Sequence, residues 1–306
     1  MAVQTAIHIV GRPISPNEPI SRKDLISIEK LKAEGRMEEM KLDLGWKFDT
    51  RRLLVALSDD KYTAWSTKIK QLLIKGSTNH DALDTIIGQL THVTVILPYL
   101  LHFLSRLRSL KYVASRRRSV NLQSKHRDDL QLALRFLQRA NTGISMNYIS
   151  YRSPTHCYRA DACPWGIGGY SSKGRAWRWE IPTSLLWRAT LNMLEFVAAT
   201  IGPWIDLIEG NLPTLSCILS MTDSTTTNGW LRKSNFPDDS ENETDAHLAC
   251  KMDLARAHSL RLLDNWIKEY SQWFPGKLND VSDCLSRDFH LKDEQLTKLL
   301  TISVPS

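Results

Sequence analysis

Around Asn141–Pro154 the spacing of apolar residues changes from that of a helix to that of a strand. This change restricts the chain to a mainly helical half followed by a mixed half. Upstream, Tyr62, Trp65, Ile69 and Leu72 share one helical face, and Leu83, Ile86, Ile87 and Leu90 share another. A very apolar stretch then covers Leu97–Leu107, and Leu130, Leu134 and Leu137 complete the series. The pattern predicts three or four packed helices between Asp60 and Arg139. Before them, residues 38–61 read as a short extended pair that bends at Gly45 and at Asp49-Thr50-Arg51. Ser21–Arg36 has helical spacing, and the first 20 or so residues, rich in Pro, Gly and Ser, read as loosely held.

Downstream, CYRADA, GIGGYSS and RAWRWEI read as three consecutive strands, with turns at Pro164-Trp165-Gly166 and Ser172-Lys173-Gly174. Leu191–Ile208 is predicted to be a helix, LSCILSMTD a buried strand, and Ser224–Arg232 a helix. A mobile polar loop, Asn235–Thr244, is expected next, then a long helix over Ala246–Ile267, a short strand over Tyr270–Phe274 and a helix over Asp280–Leu285. The order is βββαβα, a long helix, then βα.

Four acids punctuate that second half. Asp161, Glu195, Asp223 and Asp283 each lie in or beside a predicted strand or helix, too far apart in sequence for anything but a fold to gather them. Gathered carboxylates repel one another and raise each other's pKa unless a cation neutralises them, so the pattern points to divalent metal, Mg²⁺ first. Asp280 rivals Asp283 because positions i and i+3 share a helical face; following Asn279 at a helix start, it is assigned to the helix dipole.

Composition fits this reading. At 306 residues, 42% hydrophobic and 24% charged, the chain can bury one large core or two ordinary ones. No apolar run reaches the roughly 18 uninterrupted residues of a membrane span, and the N-terminus lacks the basic-then-apolar layout of a secretory signal. Five cysteines without a CxxC pair argue against disulfides and structural zinc. The expectation is an intracellular protein, cytoplasmic or nuclear, with no membrane partner and no small-molecule cofactor. Residues 1–150 carry 24 Lys/Arg against 14 Asp/Glu, and residues 151–306 carry 16 against 19. A basic half joined to an acidic, metal-binding half suits a polyanion substrate. Arg106, Arg108, Lys111, Arg116, Arg117 and Arg118 are the candidates for contact with a nucleic-acid backbone, a solvated loop or nuclear-import patch being the other reading of the run.

The strings ADACPWGIGGY (160–170), LEF (194–196), TDSTTTNGWL (222–231) and, most specifically, PGKLNDVSDCLSR (275–287) resemble the ribonuclease H domain of retroelement reverse transcriptases, gypsy-like or DIRS-like. LGWKFDT (44–50), LSDDKYTAW (57–65) and IIGQLTHV (86–93) are similar to the end of the palm, the thumb and the connection of the same polyproteins. The resemblance implies an α/β fold: a ribonuclease H-like five-stranded mixed sheet with flanking helices over 151–290. A mostly helical thumb/connection region lacking the catalytic palm would precede it over 1–150, and a C-terminal tail would occupy 291–306. It also implies Mg²⁺-dependent endonucleolytic cleavage of the RNA strand of RNA–DNA hybrids, with two ions, Mn²⁺ as a substitute, and catalytic and metal-binding roles for Asp161, Glu195, Asp223 and Asp283. A catalytically inactive nucleic-acid-binding remnant is the alternative.

Polymerase activity is not expected. No Tyr-x-Asp-Asp string occurs, and Leu57-Ser58-Asp59-Asp60 matches the thumb entry. The loop Ser271–Asp283 lacks the histidine that many ribonuclease H enzymes carry; His258 and His290 flank it. Three features keep two readings each. Gly168-Gly169 is a close-approach site or a bulge; Ser224–Asn228 caps a helix or touches phosphate. The tryptophans 177, 179, 187, 204 and 230 are mostly core, with stacking on a base or sugar open to one near the cleft.

Overall fold

Asp49, almost fully buried, accepts the Arg52 backbone N–H at 2.8 Å and turns Trp46–Asp49 (β1) back antiparallel onto Leu54–Leu57 (β2). The computed structural model describes residues 38–185, 189–233 and 245–303. The expectations for residues 1–36, for Trp187 and for the loop Asn235–Thr244 lie outside them. Contacts divide the chain into Met1–Lys41 and Leu42–Ser306; the sheet, its helices and the four acids all belong to the second unit.

Asp59 and Asp60 begin α1 (Asp59–Lys75), where their charge complements the positive end of the helix, and Lys75 complements the other end. Gly76, at φ 69°, closes that helix by donating its N–H to the Leu72 carbonyl, a left-handed geometry that glycine adopts without strain. Asn79 caps α2 (His80–Thr94) by accepting the Ala82 N–H at 3.0 Å. Helices α3 (Leu101–Ser115) and α4 (Ser124–Thr142) follow. The four bury Ile69, Leu83, Leu90, Phe103, Leu104, Leu130 and Phe136 almost completely, each side chain worth about 1.5–3 kcal/mol removed from water.

The second half builds a five-stranded mixed sheet. Strands β3 (His156–Cys163), β4 (Gly166–Ser171) and β5 (Ala176–Glu180) run antiparallel in sequence order. Helix α5 (Leu191–Ile208) crosses back to β6 (Cys217–Thr222), which lies parallel to β3. Helices α6 (Thr225–Lys233) and α7 (Asp245–Asp264) lead to β7 (Lys268–Trp273), parallel to β6. Helix α8 (Asp280–Arg287) packs over β4 and β3. The sheet order is β7-β6-β3-β4-β5, a mixed sheet with flanking helices consistent with a ribonuclease H-like fold. Residues 293–303 form a further helix, α9, whose Leu296 is buried beside Leu285 and Tyr170.

Helix α5 is long and apolar enough to cross a membrane by length and composition, but half of it is buried inside the fold. One hydrophobic cluster runs from Trp46 and Leu57 through α2, α3 and α4 to Phe196, Ile218, Leu262 and Ile267. The first-half helices therefore share a core with the sheet.

Asp129 of α4, fully buried, sits between Arg106 of α3, at 3.7 Å, and Arg256 of α7. Asp129→Ala leaves both guanidinium groups without that partner and is expected to cost about 3–5 kcal/mol. Urea unfolding of the variant against the parent chain measures it.

Candidate active site

The topology brings three of the four predicted acids to one place. Asp161 lies on the central strand β3, Asp223 directly follows the neighbouring β6, and Glu195 stands in the second turn of α5. One carboxylate oxygen from each lies within 4.8 Å of the other two. Asp283, in the first turn of α8, is outside that span but faces Asp161, raising its pKa both by charge and by hydrogen bonding. Asp280 is exposed at the start of the same helix and takes no part.

Local chemistry holds each acid in place. Asp161, 2% exposed, accepts the Ser286 hydroxyl at 2.6 Å. Ser286 reaches it because α8 lies flat on β4: across from Asp161, a Cβ on Gly168 would stand 2.5 Å from the Leu285 carbonyl carbon. Gly168 is thus a close-approach site. Asn279, fully buried, donates its side-chain N–H to the Ala160 carbonyl at 3.3 Å and ties the start of α8 to β3. Thr190 caps α5 four residues before the end of the first turn by accepting the Met193 N–H at 3.3 Å. Ser224 accepts the Thr227 N–H at 3.2 Å, so capping accounts for its position at the start of α6.

Crowding shifts the titrations upward. Burial pushes Glu195 up to about 8, with Asp161, Asp223 and Asp283 adding to the rise and Arg287 opposing it. Asp161 is pushed up to about 6, by burial first, against the Ser286 hydrogen bond, with Asp283 and Asp223 raising it further. Asp223 is raised for the same first cause. The Glu195 Oε2 atom is buried and accepts no hydrogen bond. All-oxygen donors, mutual repulsion and an unpartnered buried carboxylate oxygen fit a hard divalent cation such as Mg²⁺. Arg287 supplies positive charge now, with its guanidinium 3.1 Å from Asp283 and 3.6 Å from Asp161.

No family model matches the chain, and no curated protein matches it. Solved structures it is similar to include those of a foamy viral protease-reverse transcriptase. With RNA/DNA hybrid, that protein is 14% identical at a TM-score of 0.27, over 77% of this chain and 29% of the other. With dsDNA the figures are 16%, 0.31, 79% and 46%. Its dRH form with ds DNA gives 15%, 0.29, 77% and 38%. The chain thus spans less than half the length of each. At TM-scores this low the likeness carries no weight for the site, which rests on its own geometry.

Neither flanking histidine joins the acids. His290 is exposed, and His258, on α7, is buried between Trp204, whose indole N–H donates to Nδ1 at 2.9 Å, and Glu269, 2.8 Å from Nε2. Trp204 therefore fixes the neutral tautomer with its proton on Nε2, aimed at Glu269. Trp230 is core and Trp179 is 58% exposed. In the basic run, Arg106 turns inward to Asp129, Lys111 pairs with Asp84 at 2.9 Å, and Arg116 lies over the Tyr112 ring. Arg108, Arg117 and Arg118 are exposed, and Arg117 lines an open cavity of about 540 Å³ together with Lys125, Asn121 and Gln123.

Four positions at the site went unassigned in the sequence. Arg287, Ser286 and Asn279 fall inside the PGKLNDVSDCLSR string, so their signal was there. Trp273 gave none: it ends β7, 44% exposed, and its indole N–H donates to the Asp223 carbonyl at 2.8 Å.

Proposed function

We propose that the chain is a nuclease of the ribonuclease H type, derived from a retroelement, that cleaves the RNA strand of RNA–DNA hybrids with two Mg²⁺ ions, Mn²⁺ being a substitute. Asp161, Glu195, Asp223 and Asp283 would hold the ions. The single observation that carries the reading is the convergence of Asp161, Glu195 and Asp223 oxygens within 4.8 Å on three separate elements, with Asp283 facing them. Bound there, the ions would lower the pKa of the attacking water and stabilise the leaving 3′ oxygen.

The chain's own residues do the rest. Ser286 fixes the orientation of Asp161, and Asn279 fixes the helix that carries Asp283 and Ser286. Glu195, with its pKa about 8, holds a proton at neutral pH until a cation displaces it. Arg287 restrains Asp283 and leaves positive charge at the mouth of the cluster, half-exposed and available to an incoming phosphate. Arg108, Lys111, Arg116, Arg117 and Arg118 supply charge for the duplex backbone, and contacts to 2′-hydroxyls would distinguish the RNA strand.

One pair of observations favours a second reading, a nucleic-acid-binding remnant without catalysis: Ser271–Asp283 contains no histidine, and the Arg287 guanidinium stands between Asp161 and Asp283. A hybrid labelled separately on each strand, incubated with the protein and Mg²⁺, decides between the two. The nuclease reading expects the RNA strand alone to be cut, and cutting to stop with chelator and return with Mg²⁺ or Mn²⁺. Salt-sensitive binding with both strands intact supports the remnant.

A further inference from the structure

The segment after β7 wraps around a single acid. Trp273 pairs in register with Thr222, the residue before Asp223, and its indole N–H is spent on the Asp223 carbonyl at 2.8 Å. Phe274 is buried beneath the Arg159 guanidinium, 5.3 Å from its ring centre, and its N–H bonds the Thr222 carbonyl at 3.2 Å, so the strand end is pinned. Gly276 then passes so close that a Cβ would lie 2.8 Å from Asp223 Oδ2. Residues 273–276 therefore bracket Asp223 on its main-chain and side-chain sides.

Within that bracket Trp273 is 44% exposed although the polar edge of its ring is anchored. What it shows to solvent is a rigid aromatic surface whose only donor is already satisfied. Such a surface is matched by a flat or apolar partner rather than by one that needs a hydrogen bond. A nucleotide base or sugar is that partner, and stacking of bases on aromatic side chains tolerates any sequence.

We propose that Trp273 is the substrate-positioning platform of the acid cluster, stacking on the base or sugar of the nucleotide beside the scissile phosphate in the cut strand. The inference rests on the nuclease reading for the identity of that strand. The anchor to Asp223 sets the distance between platform and acids, so the ring would decide where along the strand the phosphate enters.

The test uses the full chain and a labelled RNA–DNA hybrid, with binding measured in Ca²⁺ and cleavage in Mg²⁺, for Trp273→Ala, Trp273→Phe and Trp273→Leu. Stacking predicts that Trp273→Ala and Trp273→Leu weaken binding and raise KM by about ten-fold and scatter the cut positions, and that Trp273→Phe recovers most of the loss. An abasic nucleotide at the stacked position is expected to erase the difference between Trp273→Ala and the parent chain. Melting curves show whether each variant is folded. The proposal is overturned if Trp273→Ala binds and cuts like the parent. It is equally overturned if folded Trp273→Phe is as deficient as Trp273→Ala, since the lost hydrogen bond would then be the cause. Should the parent chain bind hybrid without cutting it, the nuclease reading fails by itself and the binding comparison still decides Trp273. Should it bind no hybrid, both fall.

Discussion

Asp161→Asn is expected to lower Mg²⁺-dependent cleavage of hybrid by at least about a thousand-fold, a barrier increase of roughly 4 kcal/mol. The same change is expected to raise the melting temperature of the metal-free protein near pH 8. Asp161 is 2% exposed, sits within 4.8 Å of Glu195 and Asp223, and has its pKa pushed up to about 6. An amide keeps the shape and can still accept the Ser286 hydroxyl, while one buried charge disappears from a repelling cluster. Gain of stability with loss of activity is the signature of a site kept for function. A variant that lost both would mark Asp161 as structural, and one that kept activity would remove it from the chemistry. Initial rates on labelled hybrid and melting curves without metal provide the two readouts.

Metal-free protein is expected to lose stability as pH rises from about 5 to about 8.5, by roughly 2–4 kcal/mol, and divalent cation to restore it. In the fold, Glu195 titrates at about 8, above its ordinary value of 4.5, and Asp161 at about 6, above 3.8. Below the ordinary values both groups are protonated folded or unfolded, so the favourable protonated cluster is fully present. As pH climbs through about 6 and then about 8, each must ionise beside other carboxylates, and that contribution is lost. Mg²⁺ binds the ionised form, so its addition should raise the melting temperature far more at the upper pH than at the lower. Melting curves at both pH values, with chelator and with Mg²⁺, give the comparison. Stability rising with pH in chelator would contradict the crowding that the cluster implies.

The elements most easily read from sequence are those whose stability is local. Helix α5 falls at the bounds its apolar spacing predicts, with Thr190 as cap, and β3, β4 and β5 follow their alternation and their turns. The acids could be named because each lies in or beside a strand or helix that periodicity defines, within the strings that carry the ribonuclease H resemblance. Contacts made only in three dimensions stayed hidden. The run from Arg106 to Arg118 reads as one basic surface, yet helical geometry turns Arg106 inward to Asp129, an acid supplied by another helix. His258 looks the same in sequence whether exposed or buried, because Trp204 and Glu269 come from separate elements. Strand β7 begins at Lys268, earlier than expected, since KEYSQW is polar and only pairing with β6 makes it a strand. Gly168 is legible as a glycine that matters, but which of its two readings holds depends on where α8 comes to rest.

Binding of Mn²⁺ followed by electron paramagnetic resonance tests the central claim most directly, because it reads the ion itself and needs no substrate. The parent chain should take up Mn²⁺ in a way that tightens as pH rises toward about 8, is displaced by excess Mg²⁺, and is lost in the Asp161→Asn and Asp223→Asn variants. Uptake that ignores pH, or that survives unchanged in both variants, would mean that the gathered carboxylates do not hold the metal.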